Sequence, residues 1–157
     1  MQITAIRGVN ADPAIEPVLR FGCGRLVEMC RSRRVFALGT SADELVLLLD
    51  GLWQAFGPQT GASADLGVAD EAKRLHSVLP VGLRRRVGEL IAEVPRSSID
   101  PHAYIASCNR AADRSGLLAC GNAAAALEAH PDAAAHLTRF AASRGYRNAR
   151  RALRTRR

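Results

Sequence analysis

The sequence predicts a mainly α-helical, compact fold of six or seven helices with a minor two-stranded β element. Apolar residues recur at three- and four-residue spacing in several segments, which is the period of one helix face. Capping residues and Gly-Pro or Asp-Pro pairs separate these segments. With 157 residues, of which 48% are hydrophobic, the chain is long enough to bury one core without disulfides or metals.

The first helix is predicted from Ala14 to Arg31, because its apolar or small residues form a complete helical stripe. The stripe occupies positions 15, 18, 19, 22, 23, 26, 27 and 30. Residues 2–7 and Val35–Leu38 are predicted to form the two short strands of the β element. No internal repeat is present.

A second helix begins after Ser41, which has Glu44 three residues later in a capping-box pattern. Gly57-Pro58 ends that helix, and residues 57–68 are predicted to form a loop. Asp70 is expected to open a short third helix that stops at Leu79. Pro80 then serves as the first residue of a fourth helix.

Asp100-Pro101 predicts the start of a long helix, because an N-cap residue precedes an initiating proline. Gly121 is expected to end this helix, and Asn122 to cap a short alanine-rich one. Pro131 opens a further helix. All four cysteines are interpreted as buried thiols. The core is expected to consist of apolar positions of the predicted helices together with two of these cysteines: Ile15, Val18, Leu19, Cys23, Leu26, Leu48, Leu49, Leu52, Trp53, Leu90, Ile91, Ile105, Cys108, Leu117 and Leu118.

Charge divides the chain into a near-neutral body, residues 1–138, and a basic arginine-rich tail, residues 139–157. The tail holds eight arginines and no acidic residue, whereas the net charge of the whole chain is +7. The tail is either a solvated terminus or a helix that docks through Ala149 and Leu153. The residues expected to contact an anionic partner are Arg139, Arg144, Tyr146, Arg147, Arg150, Arg151, Arg154, Arg156 and Arg157.

The segment Asn109–Gly116, "NRAADRSG", resembles the second metal-site element of gluzincin peptidases related to the CAAX prenyl protease, approximately E-x-x-A-D-R-x-G. In that family two histidines and a glutamate base come from an H-E-x-x-H helix, and a later glutamate completes the zinc site. The resemblance places Asn109 at the third ligand. Asp113 and Arg114 match the family pattern.

The same resemblance places the first half of the site on the first helix. Gly24 then stands at the first histidine, Arg25 at the general base and Glu28 at the second histidine. The chain contains no H-E-x-x-H anywhere. An amide, one carboxylate and an arginine are a poor ligand set for Zn²⁺, so the sequence predicts a pseudo-peptidase that is not an enzyme and holds no metal or cofactor.

Over roughly residues 15–128 the order of motifs also resembles helical domains at the ends of large bacterial tetratricopeptide-repeat proteins. These domains are similar to degenerate relatives of the peptidases, and the resemblance implies a bacterial origin. Asp113 is expected to join a buried ion pair with Arg25, Arg110 or Arg114, because a buried carboxylate must be paired. A retained pocket for a small ligand or peptide is the alternative. His130 and His136 are interpreted as polar surface.

The function predicted from these features is a non-catalytic protein-interaction or assembly module that binds a protein partner. A partner that binds the arginine-rich tail is expected to be acidic. The alternative is a nucleic-acid-binding protein that uses the tail. No phosphate-binding loop or nucleophile-elbow motif is present. The apolar runs are too short for a membrane span and no signal peptide is recognisable, so a cytoplasmic protein without membrane contact is expected.

Overall fold

The computed structural model describes residues 15–31, 33–58 and 65–155. Within these ranges the chain forms eight α-helices, which confirms the mainly α-helical class. The helices are α1 (Ile15–Met29), α2 (Ala42–Phe56), α3 (Leu66–Val78), α4 (Val81–Glu93), α5 (Pro101–Cys120), α6 (Ala123–Ala129), α7 (Ala134–Ala141) and α8 (Arg144–Arg154). Short 3-10 turns occur at Val35–Leu38, Arg96–Ser98 and Pro131–Ala133.

The described ranges contain no β-strand, so the strand prediction for Val35–Leu38 is wrong. This segment instead closes a tight turn behind α1, in which the amide of Val35 donates to the carbonyl of Arg31. A strand needs a neighbour to satisfy its backbone groups, and no described segment offers one here. The other predicted strand, residues 2–7, lies outside the described residues.

The chain divides into two compact units whose boundaries lie at Leu38/Gly39 and within α5, at Ala106/Ser107. The central unit, Gly39–Ala106, contains α2, α3, α4 and the first residues of α5. The terminal unit contains α1 and everything from Ser107 onward. Their charges differ in sign: the sequence of the central unit has six basic and nine acidic residues, and that of the terminal unit sixteen and six.

In the central unit α2 packs against α3 and α4. The predicted capping box is present, since the Glu44 amide donates to Ser41 Oγ at 3.2 Å and the Ser41 amide to Glu44 Oε2 at 2.7 Å. Gly51 lets α3 approach closely, because a Cβ there would lie 2.7 Å from Cγ of Glu71. The α2–α3 pair therefore forms the buried part of this unit.

Helix α3 starts at Leu66, earlier than the predicted start at Asp70. Asp65 is the actual N-cap, and its carboxylate accepts a hydrogen bond from the Gly67 amide at 2.8 Å. The core prediction for α4 is also wrong, because no residue of α4 is buried and Leu90 is 48% exposed.

The terminal unit has its own core, to which four helices and a 3-10 turn contribute. The buried members are Phe21, Leu117, Ala126, Ala133 and Leu137. Two of these are alanines, so α6 and the turn before α7 can approach their neighbours closely. Burial of leucine and phenylalanine side chains supplies most of the hydrophobic stabilisation, at roughly 2 kcal/mol for each.

Helix α1 is rotated relative to the sequence prediction. Its buried residues are Phe21, Gly24 and Met29, whereas Leu19 and Leu26, which were predicted to lie in the core, are 56% and 55% exposed. The remaining predicted core residues that are exposed are Ile15, Cys23 and Leu90; Val18, Leu48, Leu49, Leu52, Trp53, Ile91, Ile105 and Leu118 are half-buried, and Cys108 and Leu117 are buried. Cys30 is exposed and Cys120 half-buried, so burial of all four thiols was also wrong.

The predicted tail contains a true helix, α8, which the hydroxyl of Ser143 caps by accepting from the Tyr146 amide at 3.1 Å. Arg150 docks α8 onto α5, because its Nη1 donates to the carbonyl of Leu118 at 2.9 Å. Gly121, at a φ of 68°, ends α5 beside this guanidinium as the sequence predicts.

Two glycines on α1 allow a matched test of the close contact between α1 and α5. A Cβ on Gly24 would lie 2.7 Å from the Ala119 Cβ and 2.8 Å from the Ser115 carbonyl oxygen, whereas one on Gly22 would meet nothing within 4 Å. We expect Gly24→Ala to lower the free energy of unfolding by about 2–3 kcal/mol through overpacking. Gly22→Ala should raise it by about 0.5–1 kcal/mol through helix propensity. Urea denaturation of both variants checks this, and equal effects would contradict the close crossing.

Candidate functional site

Helices α1 and α5 cross with their backbones almost in contact. Gly24 on α1 faces Ser115, Gly116 and Ala119 on α5, and a Cβ on Gly116 would lie 2.8 Å from the ring of Phe21. A side chain larger than hydrogen does not fit at either glycine. The crossing therefore brings together both halves of the site that the peptidase resemblance implies, and leaves no cleft between the two glycines.

Asp113 is the most buried charged residue of the described chain, with 1% of its surface exposed. Its carboxylate oxygen Oδ1 forms an ion pair with Nη1 of Arg25, which reaches across from α1. Burial lowers the pKa of Arg25, although a guanidinium keeps its proton at physiological pH. Arg25 also lies over the ring of Phe21, at 5.9 Å from its centre. Of the three arginines that the sequence offered as partners, the structure pairs Arg25 with Asp113.

His136, on α7, contacts the other oxygen of the same carboxylate. Its Nε2 lies 2.8 Å from Asp113 Oδ2, and its side chain is 25% exposed. Burial lowers the pKa of His136, and the positive charges of Arg114 and Arg110 lower it further. Burial and the neighbouring positive charges therefore both favour the neutral form of the imidazole.

His130 lies close enough to this cluster to interact with it electrostatically. Burial lowers the pKa of His130, and the charge of Arg25 lowers it further, against an opposing effect of Asp132. Both histidines were predicted to be polar surface, and the structure instead half-buries them around the Arg25–Asp113 pair. The six-residue spacing across Pro131 gave no periodic signal for this, because a 3-10 turn reorients the chain between them.

Glu28 has a structural partner set of its own. Its side chain is 13% exposed and forms ion pairs with Arg34 and, at 3.3 Å, with Arg31. These contacts tie the end of α1 to the 3-10 turn that follows. The carboxylate is thus engaged by two guanidinium groups, which oppose its use as a ligand for a cation.

The other two candidate site residues of the segment Asn109–Gly116, Asn109 and Arg114, also lie on α5 and have different surroundings. Asn109 is half-buried one turn before Asp113. Arg114 is exposed and places its guanidinium 5.3 Å from the ring centre of Phe140 on α7. Phe140 in turn packs edge-on against Tyr146, at 5.5 Å between ring centres. Arg114 therefore helps to hold α7 and α8 instead of pairing with Asp113.

Four exposed arginines line one side of α8 and are called here the arginine stripe: Arg144, Arg147, Arg151 and Arg154. Their spacing of three and four residues keeps them on one helix face over about 15 Å. None of them forms an ion pair with a carboxylate of the described residues. The stripe is thus an uncompensated line of positive charge.

The remaining residues expected to meet an anionic partner are placed differently. Arg139 is exposed on α7. Arg150 is engaged with the Leu118 carbonyl, and Tyr146 is half-buried against the core of the terminal unit. Arg156 and Arg157 lie outside the described residues.

Within the described ranges, no three His, Cys, Asp or Glu side chains are grouped so that they could hold a metal ion. Asp113 and His136 form an acid–base pair in contact, but both carboxylate oxygens are already occupied by Arg25 and His136. None of the helices in the described part combines the length and apolar character needed to cross a bilayer.

No protein-family model matches the sequence, and neither a curated protein nor a solved structure is significantly similar to it.

Asp113→Ala should be strongly destabilising, because it leaves the half-buried charge of Arg25 without its partner. We expect a loss of about 3–5 kcal/mol in the free energy of unfolding. The matched control is Asp70→Ala, which removes a surface ion pair with Lys73 whose carboxylate is 75% exposed, and should cost less than about 1 kcal/mol. Urea denaturation followed by circular dichroism measures both, and wild-type stability of Asp113→Ala would refute a structural role for the pair.

The histidine cluster predicts that acidification destabilises the fold. Because the folded-state pKa of His136 lies below the unfolded value near 6.5, the unfolded state binds more protons as the pH falls. The stabilising contribution is therefore complete above about pH 6.5 and is lost as the pH falls through the folded-state pKa. Denaturation at several pH values between 8 and 5 should show a smaller loss of stability in His136→Gln than in the wild type. His102→Gln, at an exposed histidine of the central unit, should keep the wild-type profile.

Proposed function

We propose that this chain is a non-catalytic, cytoplasmic binding module that holds an acidic protein partner against the arginine stripe of α8. On this proposal the α1–α5 crossing is a degenerate peptidase scaffold, a pseudo-peptidase kept for its shape. The single observation that carries the binding function is the uncompensated line of four exposed arginines on a docked helix.

The interior of the crossing supports a structural role. A catalytic cleft needs room for a substrate beside its reactive groups, whereas Gly24 and Gly116 are in close contact here. Arg25, which the resemblance aligns with the general base of the peptidases, forms an ion pair with Asp113. A dication beside Arg25 would be repelled by its charge. These features favour a packed element over a working site.

The docking of α8 supports the binding surface. Arg150, Phe140 and Tyr146 hold α8 to α5 and α7, so the stripe is presented on a fixed helix and not on a solvated terminus. A fixed surface loses less conformational entropy on binding. Leu153, 48% exposed on the same helix, adds an apolar contact of the kind that protein partners use.

Nucleic acid is the second candidate, favoured by the all-arginine composition of the stripe. Guanidinium groups pair with phosphates in bidentate geometry. Tyr146 is engaged with Phe140 and is therefore poorly placed to stack on a base. This candidate consequently predicts binding without sequence preference.

Removing two arginines from the stripe should weaken binding of an acidic partner. We expect Arg147→Gln/Arg151→Gln to reduce the affinity for a poly-glutamate peptide or an acidic partner captured from cells by about tenfold, mainly through slower association. The matched control, Arg85→Gln/Arg86→Gln, removes two exposed arginines from α4, where Glu89 compensates them, and should leave binding unchanged. Surface plasmon resonance at several salt concentrations measures these effects.

The same variants distinguish the two candidates. Tighter binding of a short duplex DNA than of the acidic peptide would favour nucleic acid. In that case the slope of the logarithm of the binding constant against the logarithm of the salt concentration should become shallower by about two in the stripe variant. Equal loss of binding in the stripe and control variants would contradict a specific role for α8.

A further inference from the structure

A second group of basic side chains, separate from the arginine stripe, lies where α5 meets α7. Its members all belong to the terminal unit and are called here the α5–α7 patch: Arg110, Arg114, His136 and Arg139. The three arginines are exposed, and none of them forms an ion pair with a carboxylate in the described part of the chain. The patch is therefore a second place where positive charge is uncompensated.

Two contacts fix the helices that carry the patch against each other. Nε2 of His136 on α7 lies 2.8 Å from Oδ2 of Asp113 on α5. The guanidinium of Arg114 on α5 lies 5.3 Å from the ring centre of Phe140 on α7. A cation–π contact holds a guanidinium without using a hydrogen-bond acceptor, so the N–H donors of Arg114 remain available to a ligand.

The electrostatics of His136 show that the patch is compact. Burial lowers the pKa of His136, and the charges of the three patch arginines lower it further, so all three lie close to one imidazole. The charged and titratable groups that act on His136 come from three parts of the chain: Asp113, Arg110 and Arg114 on α5, Arg139 on α7, and His130 before the 3-10 turn. The negative charge of Asp113 is offset by its ion pair with Arg25. The patch thus combines charges from two helices around one point, whereas the arginine stripe runs along one helix.

Convergent guanidinium groups suit a compact anion that carries more than one negative charge. Arginine pairs with phosphate through two parallel N–H···O bonds, and a phosphorylated side chain carries about 1.5 to 2 negative charges at pH 7. A carboxylate carries only one. Small ligands bind mainly in concave sites that bury most of their surface, whereas the patch arginines are exposed. A phosphate group attached to a larger partner therefore fits the patch better than a free phosphate.

We propose that the α5–α7 patch binds a phosphorylated side chain of a protein partner. The inference rests on the proposed function, because it gives the acidic protein partner a specific chemistry, but the patch shares no residue with the arginine stripe. A bound phosphate offsets the repulsion among the four basic groups. It also favours the protonated imidazole of His136, which lies among the arginines.

Three short peptides of glycine and alanine, which differ only in a central phosphoserine, serine or glutamate, test the chemistry. NMR titration of the full chain, observed at the arginine side-chain signals, measures their dissociation constants. We expect the phosphoserine peptide to bind about tenfold more tightly than the other two, which is the effect of one charge-assisted hydrogen bond. Equal binding of the phosphoserine and glutamate peptides would overturn the inference. Equally tight binding of inorganic phosphate would also overturn it, because the site would then hold a free anion.

Arg110→Gln/Arg139→Gln tests the location of the site. This variant removes two exposed arginines and keeps Arg114, which holds Phe140. Its affinity for the phosphoserine peptide should fall by about tenfold, because the phosphate loses charge-assisted hydrogen bonds. Wild-type affinity in this variant would exclude the patch as the binding site.

Two controls each remove the same number of exposed arginines elsewhere. Arg85→Gln/Arg86→Gln on α4 and Arg147→Gln/Arg151→Gln in the arginine stripe should both bind the phosphoserine peptide as the wild type does. An equal loss in either control would show that net charge alone decides binding, and would overturn the inference. Failure of the proposed function is seen separately, as unchanged binding of poly-glutamate in the stripe variant.

The pKa of His136 gives a measurement on the wild-type chain that requires no variant. The phosphoserine peptide should raise this pKa, because a nearby dianion stabilises the imidazolium form. The serine peptide should leave it unchanged. An NMR titration of the imidazole signals against pH, with and without each peptide, measures the effect. A pKa of His136 that does not respond to a saturating concentration of the phosphoserine peptide would overturn the inference.

Discussion

The carboxylate of Asp113 controls the arrangement of the terminal unit. A buried charge is tolerated only when an opposite charge compensates it, and the partner here, Arg25, comes from a helix far away in the sequence. To bring Arg25 to Asp113, α1 must turn its polar positions inward. The glycines at 24 and 116 make this possible, because they let the two backbones approach closely enough for the side chains to meet.

The exposure of apolar residues on the outer face of α1 follows from the same constraint. A helix cannot present both faces to one core, so inward placement of Phe21, Gly24 and Arg25 leaves Leu19 and Leu26 exposed. The exposed apolar face of α1 and the buried ion pair are thus two consequences of one helix rotation. The structure separates an inner face that stabilises the unit from an outer face whose apolar side chains are exposed.

Electrostatics also organises the surface. The terminal unit carries sixteen of the 22 basic residues, yet its interior uses only a few of them: Arg25 inside the crossing and Arg150 at the end of α5. Phe140 contacts both Arg114 and Tyr146, which connects α5 to the helix that carries the arginine stripe. Burial lowers the pKa values of His130 and His136, and this accumulation of positive charge lowers them further.

Local signals in the sequence determined where most helices begin and end. Ser41 with Glu44, Asn122 and Gly121 act through atoms a few residues away, so their effect is readable without a fold. The pairing of Asp113 was also within reach, because a carboxylate in an apolar helix needs a cation and only a few arginines were available. Only the tertiary structure decided which face of α1 is buried and that His136 joins Asp113. Those outcomes depend on the close approach of the α1 and α5 backbones and on an ion pair between residues far apart in the sequence. A stripe of apolar residues shows that a helix is amphipathic, but it does not show which element each face will contact.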